Sequence, residues 1–361
     1  MKVARYYTIG GTIVVPPDPE PIITGITTTI KFVSAPSNAT ATIANRKFNK
    51  KNHWAFEWDD ATSGAVTGLN ILNNAFYTDG CGNNINYSGT LAFNGANETS
   101  GLEYTYAGGD GRVSKANMLA MITAGWEMSD HSYFHDPVGF GASVTPLENT
   151  QRMQTYIKNL LNYWTRSKAV PTNYAGHATA ARDLGYLYST SQGTFDSFTA
   201  EWMYAPPGQW SNVPSGFAPL RRDFTDNWSG SLTSLQNMVT TLKAATGKFF
   251  RVGSHTINAT AFQDLVDFLV ANSGDEFLVS STREWLEYDE MKVQPINQVL
   301  SGDTLTISMD LTGLDVKNRW KDLSYNITSD ATIASVTTDG DSASFNSTTG
   351  LVNVFKQNKS W

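Results

Sequence analysis

Two short stretches of this chain carry side-chain types that bind divalent metal ions. The stretch WEMSDHSYFH contains two of the five histidines, His131 and His135, four positions apart. If a helical turn carries them, residues at i and i+4 lie on one face and both imidazoles can contact one ion. The second stretch, FEWDDA, ends an apolar segment with Asp59 and Asp60. Histidine pairs are more often surface residues than ligands, so the spacing alone leaves both interpretations open.

The two adjacent aspartates also have an ordinary interpretation. An aspartate pair before ATSG is typical of a turn or of a helix N-cap. If both carboxylates instead serve one site, the backbone must bend there, because neighbouring side chains on a regular strand point to opposite faces. A functional role for both Asp59 and Asp60 therefore predicts a bend at the end of the strand.

The chain around these stretches divides into three regions by composition. Residues 1–50 contain the proline-rich linker VVPPDPEP and the segment IITGITTTIKFVSA, whose β-branched residues predict a pair of strands. Residues 51–290 alternate short apolar segments such as HWAFEW with helical patterns such as NTQRMQTYIKNLLNYWTRS. Residues 291–361 show alternating patterns and turn signals. We expect this last region to be a small all-β module that packs with the N-terminal strands or against the middle region.

The middle region predicts an α/β fold. Strand followed by helix, repeated over this region, is typical of an α/β barrel or a layered sheet. Catalytic groups in such folds lie at the carboxyl ends of strands. Asp59 and Asp60 follow the apolar segment HWAFEW directly, so they are placed at such an end.

The overall composition excludes several classes of protein. A net charge of -7 argues against a nucleic-acid binder, which normally presents a basic face. No apolar run approaches the roughly 20 residues that span a bilayer. The single cysteine, Cys81, excludes an internal disulfide framework and a cysteine-based metal cluster.

Three motifs, in their order and spacing, resemble the polysaccharide deacetylase family, which has the NodB-homology or carbohydrate esterase family 4 fold. FEWDDA resembles the first motif, an aromatic-rich strand that ends in Asp-Asp, and GWEMSDHSYFH resembles the second. RVGSHTI resembles the late motif, with His255 at a strand end before a helix. The resemblance covers about 51–290 and implies a distorted (β/α) barrel of the polysaccharide deacetylase type, with small all-β flanking regions.

The resemblance also implies a site and a reaction. One divalent metal ion would be held by Asp60, His131 and His135, with zinc expected first and cobalt, nickel or manganese as alternatives. Metal-bound water would attack an acetyl carbonyl, with Asp59 as general base and His255 as general acid. The substrate would be an N- or O-acetylated polysaccharide or oligosaccharide.

The family's third motif is incomplete in this chain. Pro171, Tyr174 and Gly176 match it, but Ala169 or Val170 stands where an arginine normally orients the catalytic base. The absence of that arginine puts the tuning of the base in doubt. Three arginines elsewhere in the chain are candidates to replace it: Arg182, Arg221 and Arg222.

The neighbourhood of the late histidine offers two further residues. DFTDNW resembles the family's fourth motif, in which Asp226 would support His255, although a turn-forming aspartate is the common alternative. His177 lies close to the third motif in sequence. We expect it to be a solvated loop histidine and not a substrate contact.

Substrate contacts are expected from two segments. Thr172 or Asn173, next to Tyr174, would offer a backbone amide to the oxyanion that forms on attack. The segment EWMYAPPGQWSN has prolines and glycine that favour an exposed loop. Its aromatic residues are weaker candidates for stacking against sugar rings: Trp202, Tyr204 and Trp210.

Two functions remain open from the sequence. The retained aspartates and histidines favour a deacetylating hydrolase. The missing arginine favours a catalytically impaired carbohydrate-binding protein on the same scaffold, which could belong to a cell-surface or virion structure. A glycan substrate implies a secreted, periplasmic or cell-surface location, although MKVARYYTIGGTIVV lacks a continuous apolar core and a small-residue cleavage site. The glycan and the oligomeric state stay undetermined.

Overall fold

A computed structural model of the protein describes residues 8–9, 12–13, 24–193 and 220–358. The VVPPDPEP linker and the loop with Trp202, Tyr204 and Trp210 lie outside these residues. The described residues form a parallel barrel surrounded by helices, and a pair of four-stranded antiparallel sheets built from both ends of the chain.

Strands and helices alternate through the middle of the chain, and strands alone follow. The strands are β1 (Thr8–Ile9), β2 (Thr12–Ile13), β3 (Gly25–Phe32), β4 (Ala39–Ile43), β5 (Asn52–Trp58), β6 (Phe76–Thr78), β7 (Asn84–Asn86), β8 (Thr90–Phe93), β9 (Glu127–Asp130), β10 (Ser167–Ala169), β11 (Tyr188–Gly193), β12 (Leu220–Phe224), β13 (Phe249–Ser254), β14 (Phe277–Val279), β15 (Ile296–Ser301), β16 (Thr304–Asp310), β17 (Leu323–Ser329), β18 (Ile333–Thr338), β19 (Ser342–Asn346) and β20 (Leu351–Phe355). The helices are α1 (Gly64–Leu72), α2 (Lys115–Thr123), α3 (Pro146–Leu161), α4 (Ala175–Asp183), α5 (Trp228–Lys243), α6 (Ala259–Asn272) and α7 (Thr282–Met291). No helix among the described residues is both long enough and apolar enough to span a bilayer.

The barrel is a closed ring of parallel strands. β5, β8, β9, β10, β11, β12 and β13 follow one another, and β13 pairs back to β5. β14 pairs with the first half of β5. This topology confirms the predicted (β/α) barrel, and the antiparallel sheets confirm the small all-β flanking regions.

Strand β5 shows how the sequence directs side chains to the two faces of the barrel wall. Successive residues alternate between faces. Phe56 and Trp58 face outward, where both pack edge-on against Phe262 of α6. Glu57 and Asp59 face the barrel interior, where both accept hydrogen bonds from one arginine. The carboxylate of Asp59, directly after the strand, therefore points into the barrel mouth.

Helix α2 leads the chain into the strand that precedes the histidine pair. The side chain of Ser114 caps its first turn by accepting from the amide of Asn117. The helix ends at Thr123, and Gly125 then takes a φ of 85°. That left-handed conformation costs glycine least, so the chain can reverse there and enter β9.

The flanking strands form two four-stranded sheets with the orders β15–β16–β3–β18 and β19–β20–β17–β4. Their shared core includes Ile30, Ile307, Tyr325 and Val352, all fully buried. The predicted strand pair in IITGITTTIKFVSA is wrong in one respect. It forms the single strand β3, because the residues after Phe32 turn before β4 begins.

Candidate metal centre and active site

Residues that are far apart in sequence meet at the carboxyl ends of the barrel strands. Asp60 follows β5 and His131 follows β9, while Asp226 follows β12 and His255 follows β13. The carboxyl ends of parallel strands lie on one side of a barrel, which is where active sites of this architecture form. The structure thus gathers the residues of the three sequence motifs on one face.

The backbone bends directly after β5, as two functional aspartates require. Asp60 has a φ of 59° and Ala61 a φ of 48°, a left-handed conformation that is uncommon outside glycine. Arg112 donates a hydrogen bond of 2.8 Å to the carbonyl of Asp60 and holds the bend. As a result Nε2 of His131 lies 3.9 Å from Oδ2 of Asp59 and 3.5 Å from Oδ1 of Asp60.

Asp60, His131 and His135 form a cluster of three ligand atoms within 4.8 Å of one another. Oδ1 of Asp60 lies 3.7 Å from Nε2 of His135. The other ring nitrogens are anchored: Nδ1 of His131 lies 2.9 Å from the carbonyl of Ala169, and Nδ1 of His135 lies 2.9 Å from Asp136. Because both partners accept hydrogen bonds, they keep the proton on Nδ1 and leave the Nε2 lone pairs facing Asp60.

The surroundings of Nε2 of His131 test whether a metal ion fits between these three side chains. His131 is only 2% exposed, and Nε2 has no hydrogen-bond partner among the described residues. Burial lowers the pKa of His131, although Asp59 and Asp60 oppose the shift, so its ring is available as a neutral ligand. A buried polar atom without a partner is costly. One carboxylate and two imidazoles are a donor set that divalent ions accept, so these residues fit a metal ion.

The histidine pair lies on a loop and not on the helical turn that the i, i+4 spacing assumed. Ser132 has a φ of 69°, and its amide donates to Oδ1 of Asp130 at 2.5 Å. Asp130 is fully buried and forms an ion pair of 2.7 Å with Lys168 of β10. The sequence analysis missed Asp130, although a charged residue at the end of the strand before His131 could have suggested it.

A second contact holds the loop from helix α3. The side chain of Asn149 accepts from the amide of Phe134 and donates to its carbonyl, both at 2.9 Å. Phe134 directly precedes His135, so this pair of hydrogen bonds fixes the backbone next to a candidate ligand. No pattern in the sequence connects an asparagine within a helix to this loop.

His255 and Asp226 form a hydrogen-bonded pair. Oδ1 of Asp226 accepts from the backbone amide of His255 at 2.8 Å, and Oδ2 lies 3.0 Å from its Nδ1. Burial alone would raise the pKa of Asp226, but the hydrogen bonds from His255 outweigh it and lower that pKa. With Nδ1 engaged, Nε2 faces the cluster, 3.7 Å from Oδ2 of Asp60.

Asp59 is paired with an arginine from the far side of β13. Nη1 of Arg222 donates to Oδ1 of Asp59 at 2.7 Å, and Nη2 donates to Oδ2. Burial would raise the pKa of Asp59, but Arg222 and His131 lower it below its usual value. Of the three arginines considered from the sequence, Arg182 instead contacts Asp183 at the surface. The side chain of Arg221 lies outside the described residues.

The segment after β10 borders the site through its backbone. The carbonyl of Ala169 contacts His131, and a 3-10 turn at Pro171–Asn173 follows. Thr172 and Asn173 both have left-handed φ values and are exposed. The ring of Tyr174 is 45% exposed, and its amide donates to the carbonyl of Pro171 at 3.1 Å.

His177 differs from its expectation. It lies in the first turn of α4 and is 2% exposed, so the prediction of a solvated loop histidine is wrong. Neither ring nitrogen has a hydrogen-bond partner within the described part of the chain. Burial, together with the nearby cation of Lys168, lowers the pKa of His177 to about 3. The misassignment arose because the apolar residues of α4, AGHATAARD, are all alanines, which give a weak pattern of burial in the sequence.

Comparisons with known proteins give a likeness of fold. No protein-family description matches the chain, and no curated protein sequence does either. A putative polysaccharide deacetylase from Mycobacterium smegmatis is similar in structure, with 11% identity, a TM-score of 0.43 and coverage of 71% of this chain and 95% of that one. Peptidoglycan deacetylase PdaC from Bacillus subtilis has 15% identity, a TM-score of 0.39 and coverage of 67% and 93%. BA3943, a CE4 family pseudoenzyme from Bacillus anthracis, has 14% identity, a TM-score of 0.38 and coverage of 67% and 66%.

What the site can do follows from its own geometry: Asp60, His131 and His135 could hold a metal ion, with the buried carboxylate of Asp59 on one side and the carboxylate-supported His255 on the other.

Proposed function

We propose that this protein is a metal-dependent hydrolase that removes acetyl groups from N- or O-acetylated polysaccharides or oligosaccharides. The observation that supports this most is the convergence of Asp60, His131 and His135, with the buried Nε2 of His131 lacking any hydrogen-bond partner among the described residues. Asp59 and His255 add a base and an acid from two neighbouring strands, as hydrolysis of an acyl bond requires.

Asp60, His131 and His135 would hold one divalent ion, zinc first, with cobalt, nickel or manganese as alternatives. Such an ion, when bound, polarises an acyl carbonyl and makes a coordinated water more acidic. The two imidazoles contribute neutral ligands and Asp60 contributes the negative charge. Their Nδ1 contacts with Ala169 and Asp136 keep both rings in the orientation that binding needs.

Asp59 would act as the general base and His255 as the general acid. The pKa of Asp59 is held below its usual value despite burial, so the carboxylate is ionised at neutral pH and can accept a proton from the attacking water. His255 would give a proton from Nε2 to the departing amine or alcohol, while Asp226 holds Nδ1. A backbone amide of Thr172 or Asn173 would stabilise the oxyanion, and the exposed ring of Tyr174 would contact the sugar.

The alternative is a catalytically impaired glycan-binding protein at a cell surface or in a virion. Its support from the sequence was the arginine missing before Pro171. Because Arg222 contacts Asp59 from another strand, that missing residue no longer favours loss of activity. A secreted, periplasmic or cell-surface location would suit a glycan substrate under either function.

Acetate release from zinc-loaded protein tests the proposal, with N-acetylated chitin oligomers, peptidoglycan and acetylated xylan as substrates. We expect release from at least one of them. Asp59→Asn and His255→Gln should each lower kcat by about 10²–10⁴-fold, because positioned acid–base groups contribute that much. Asp264→Asn, which changes an exposed aspartate on α6, is the matched control and should leave kcat unchanged. Zinc-loaded wild type that releases no acetate from any of these glycans would favour the binding protein instead.

A further inference from the structure

We propose that Arg222 and Glu57 are positioning residues for Asp59. Arg222 holds both carboxylate oxygens of Asp59, and Glu57 holds Arg222, so one guanidinium bridges two carboxylates on the same strand. We call these three residues the Glu57–Arg222–Asp59 unit. Arg222 takes the place of the arginine missing before Pro171, and it reaches Asp59 from β12, on another side of the barrel. The inference rests on the proposed function, because it assumes that Asp59 is the base.

The contact between Arg222 and Asp59 is bidentate and buried. Nη1 and Nη2 each donate to a different carboxylate oxygen, and the two side chains are 2% and 4% exposed. A guanidinium fork that engages both oxygens fixes the plane of a carboxylate, which a single point charge does not. Asp59 therefore has a set orientation beside Nε2 of His131, at 3.9 Å.

Glu57 fixes Arg222 from the second side. It lies two residues before Asp59 on β5, so both side chains point into the barrel. Oε1 of Glu57 accepts from Nη1 of Arg222 at 2.7 Å and from Oγ1 of Thr190 at 2.7 Å. Both Glu57 and Arg222 are about 2% exposed. With Glu57 in place, Arg222 cannot swing away from Asp59 without also losing its ion pair with a second buried carboxylate.

A glycine on the intervening strand gives Arg222 room to cross. β13 lies between β12 and β5, and Gly253 is the residue of β13 that faces the arginine. A Cβ at Gly253 would lie 2.8 Å from Cδ of Arg222 and 3.0 Å from its Nε. Any larger residue at this position would crowd the stem of Arg222 and also the ring of Phe224, whose Cδ2 would lie 2.9 Å from that Cβ. The glycine in RVGSHTI thus has a steric reason that is independent of the hydrogen bonds.

Three variants test the unit by separate routes. Arg222→Gln removes the guanidinium, Glu57→Gln weakens the group that holds it, and Gly253→Ala displaces it while every charge stays. We expect Arg222→Gln to lower kcat by about 10²-fold, with KM and metal content unchanged, because a misplacement of about 1 Å can have that effect. Glu57→Gln and Gly253→Ala should lower kcat in the same direction by a smaller factor.

A matched control separates positioning from folding. Arg283 is another fully buried arginine, paired to Glu287 at 2.7 Å. Arg283→Gln should lower the thermal midpoint, as we also expect of Arg222→Gln, yet leave the kcat of the folded, metal-loaded fraction unchanged. If the two variants have the same kcat per folded molecule, Arg222 is only structural and the inference is overturned.

A second measurement keeps the inference distinct from the proposed function. If wild type releases no acetate, the proposed function fails on its own. The thermal midpoints of Arg222→Gln, Asp59→Asn and the double variant then show whether Arg222 and Asp59 are coupled. Coupled residues give non-additive effects, so the second substitution should cost less in the presence of the first. Additive midpoints would overturn the Glu57–Arg222–Asp59 unit.

Discussion

At the scale of single residues, two buried histidines show why surroundings decide function. His131 and His177 are equally buried, and each has a ring nitrogen without a partner in the described chain. Nε2 of His131 faces the carboxylates of Asp59 and Asp60, whereas His177 lies near the cation of Lys168. Only the first environment attracts a divalent cation. His177 is therefore expected to remain a neutral, packed imidazole.

The neutral state of His177 predicts a pH dependence of stability. Its pKa is about 3 in the folded protein, against 6.5 for the ordinary group. Between these values the unfolded chain binds a proton that the folded protein does not, so stability is full above the ordinary pKa and is lost as pH falls. The loss can reach about 1.4 kcal/mol per pH unit. His177→Leu should remove this contribution.

Urea unfolding of metal-free protein between about pH 7 and pH 4 measures the effect. Wild type should lose stability more steeply than His177→Leu over this range. Parallel curves for the two proteins would show that His177 is already protonated, or accessible to protons, in the folded state.

The residues that the sequence identified share one property, which is that they lie in contiguous motifs. Asp59 and Asp60 end one apolar strand, and His131 and His135 lie within five positions. Glu57 lies within FEWDDA and Arg222 directly precedes DFTDNW, but neither motif assigns these two residues a role. Their role depends on which strands face each other across the barrel and on the space beside Gly253. The spacing of residues along the sequence predicts neither feature.

At the scale of elements, the loop after β9 carries two metal-binding candidates without regular structure of its own. Hydrogen bonds to two residues outside the loop keep it in place: Asp130 at the end of β9 and Asn149 on α3. Loops that present ligands need such support, because a ligand's orientation sets metal affinity. Helix α3 thus packs against the barrel and, through Asn149, also acts as a clamp that holds the histidine loop in place.

Asn149→Ala should weaken metal binding. It removes both hydrogen bonds to Phe134 and leaves the amide and carbonyl next to His135 unpaired. Outer partners of ligands typically change metal affinity by about 10–100-fold, so we expect the Kd for zinc to rise by about tenfold. Zinc titration calorimetry measures it. Asn159→Ala, an exposed position on the same helix, should bind zinc like wild type, and equal Kd values for both variants would contradict the clamp.

The helices and strands were predictable where the periodicity of apolar residues indicates them. α3, α5 and α6 follow their apolar repeats, and the barrel followed from the alternation of strand and helix. The i, i+4 spacing of His131 and His135 was considered only on the condition of a helical turn, and it could not reveal a loop held by Asn149. Closure of β13 onto β5 is a long-range pairing that no local pattern specifies.

At the scale of the whole molecule, a buried lysine joins the barrel to the flanking sheets. Nζ of Lys47 lies 2.5 Å from Glu284 of α7 and 2.5 Å from Asp322, which precedes β17. All three side chains are buried. Burial would lower the pKa of Lys47, but the two carboxylates outweigh it and raise that pKa, so the lysine stays charged.

Lys47→Met should destabilise the protein strongly. It leaves two buried carboxylates without their cation, and breaking a buried pair in this way costs about 3–5 kcal/mol. Lys51→Met is the matched control, because its ion pair with Glu276 is solvent-exposed and such pairs contribute about 0–1 kcal/mol. Denaturant unfolding compares them. Equal losses in the two variants would show that Lys47 does not join the two parts.

The measurement that tests the central claim most directly is elemental analysis of wild type and His131→Ala, purified without added metal and without a metal-binding tag. The site predicts about one equivalent of zinc or a similar divalent ion per wild-type chain, lost in His131→Ala, because one ion would contact Asp60, His131 and His135 together. His177→Leu, which removes a buried imidazole outside the cluster, should keep its metal. Wild type that holds no ion even after dialysis against zinc would contradict the metal centre and, with it, the proposed hydrolysis.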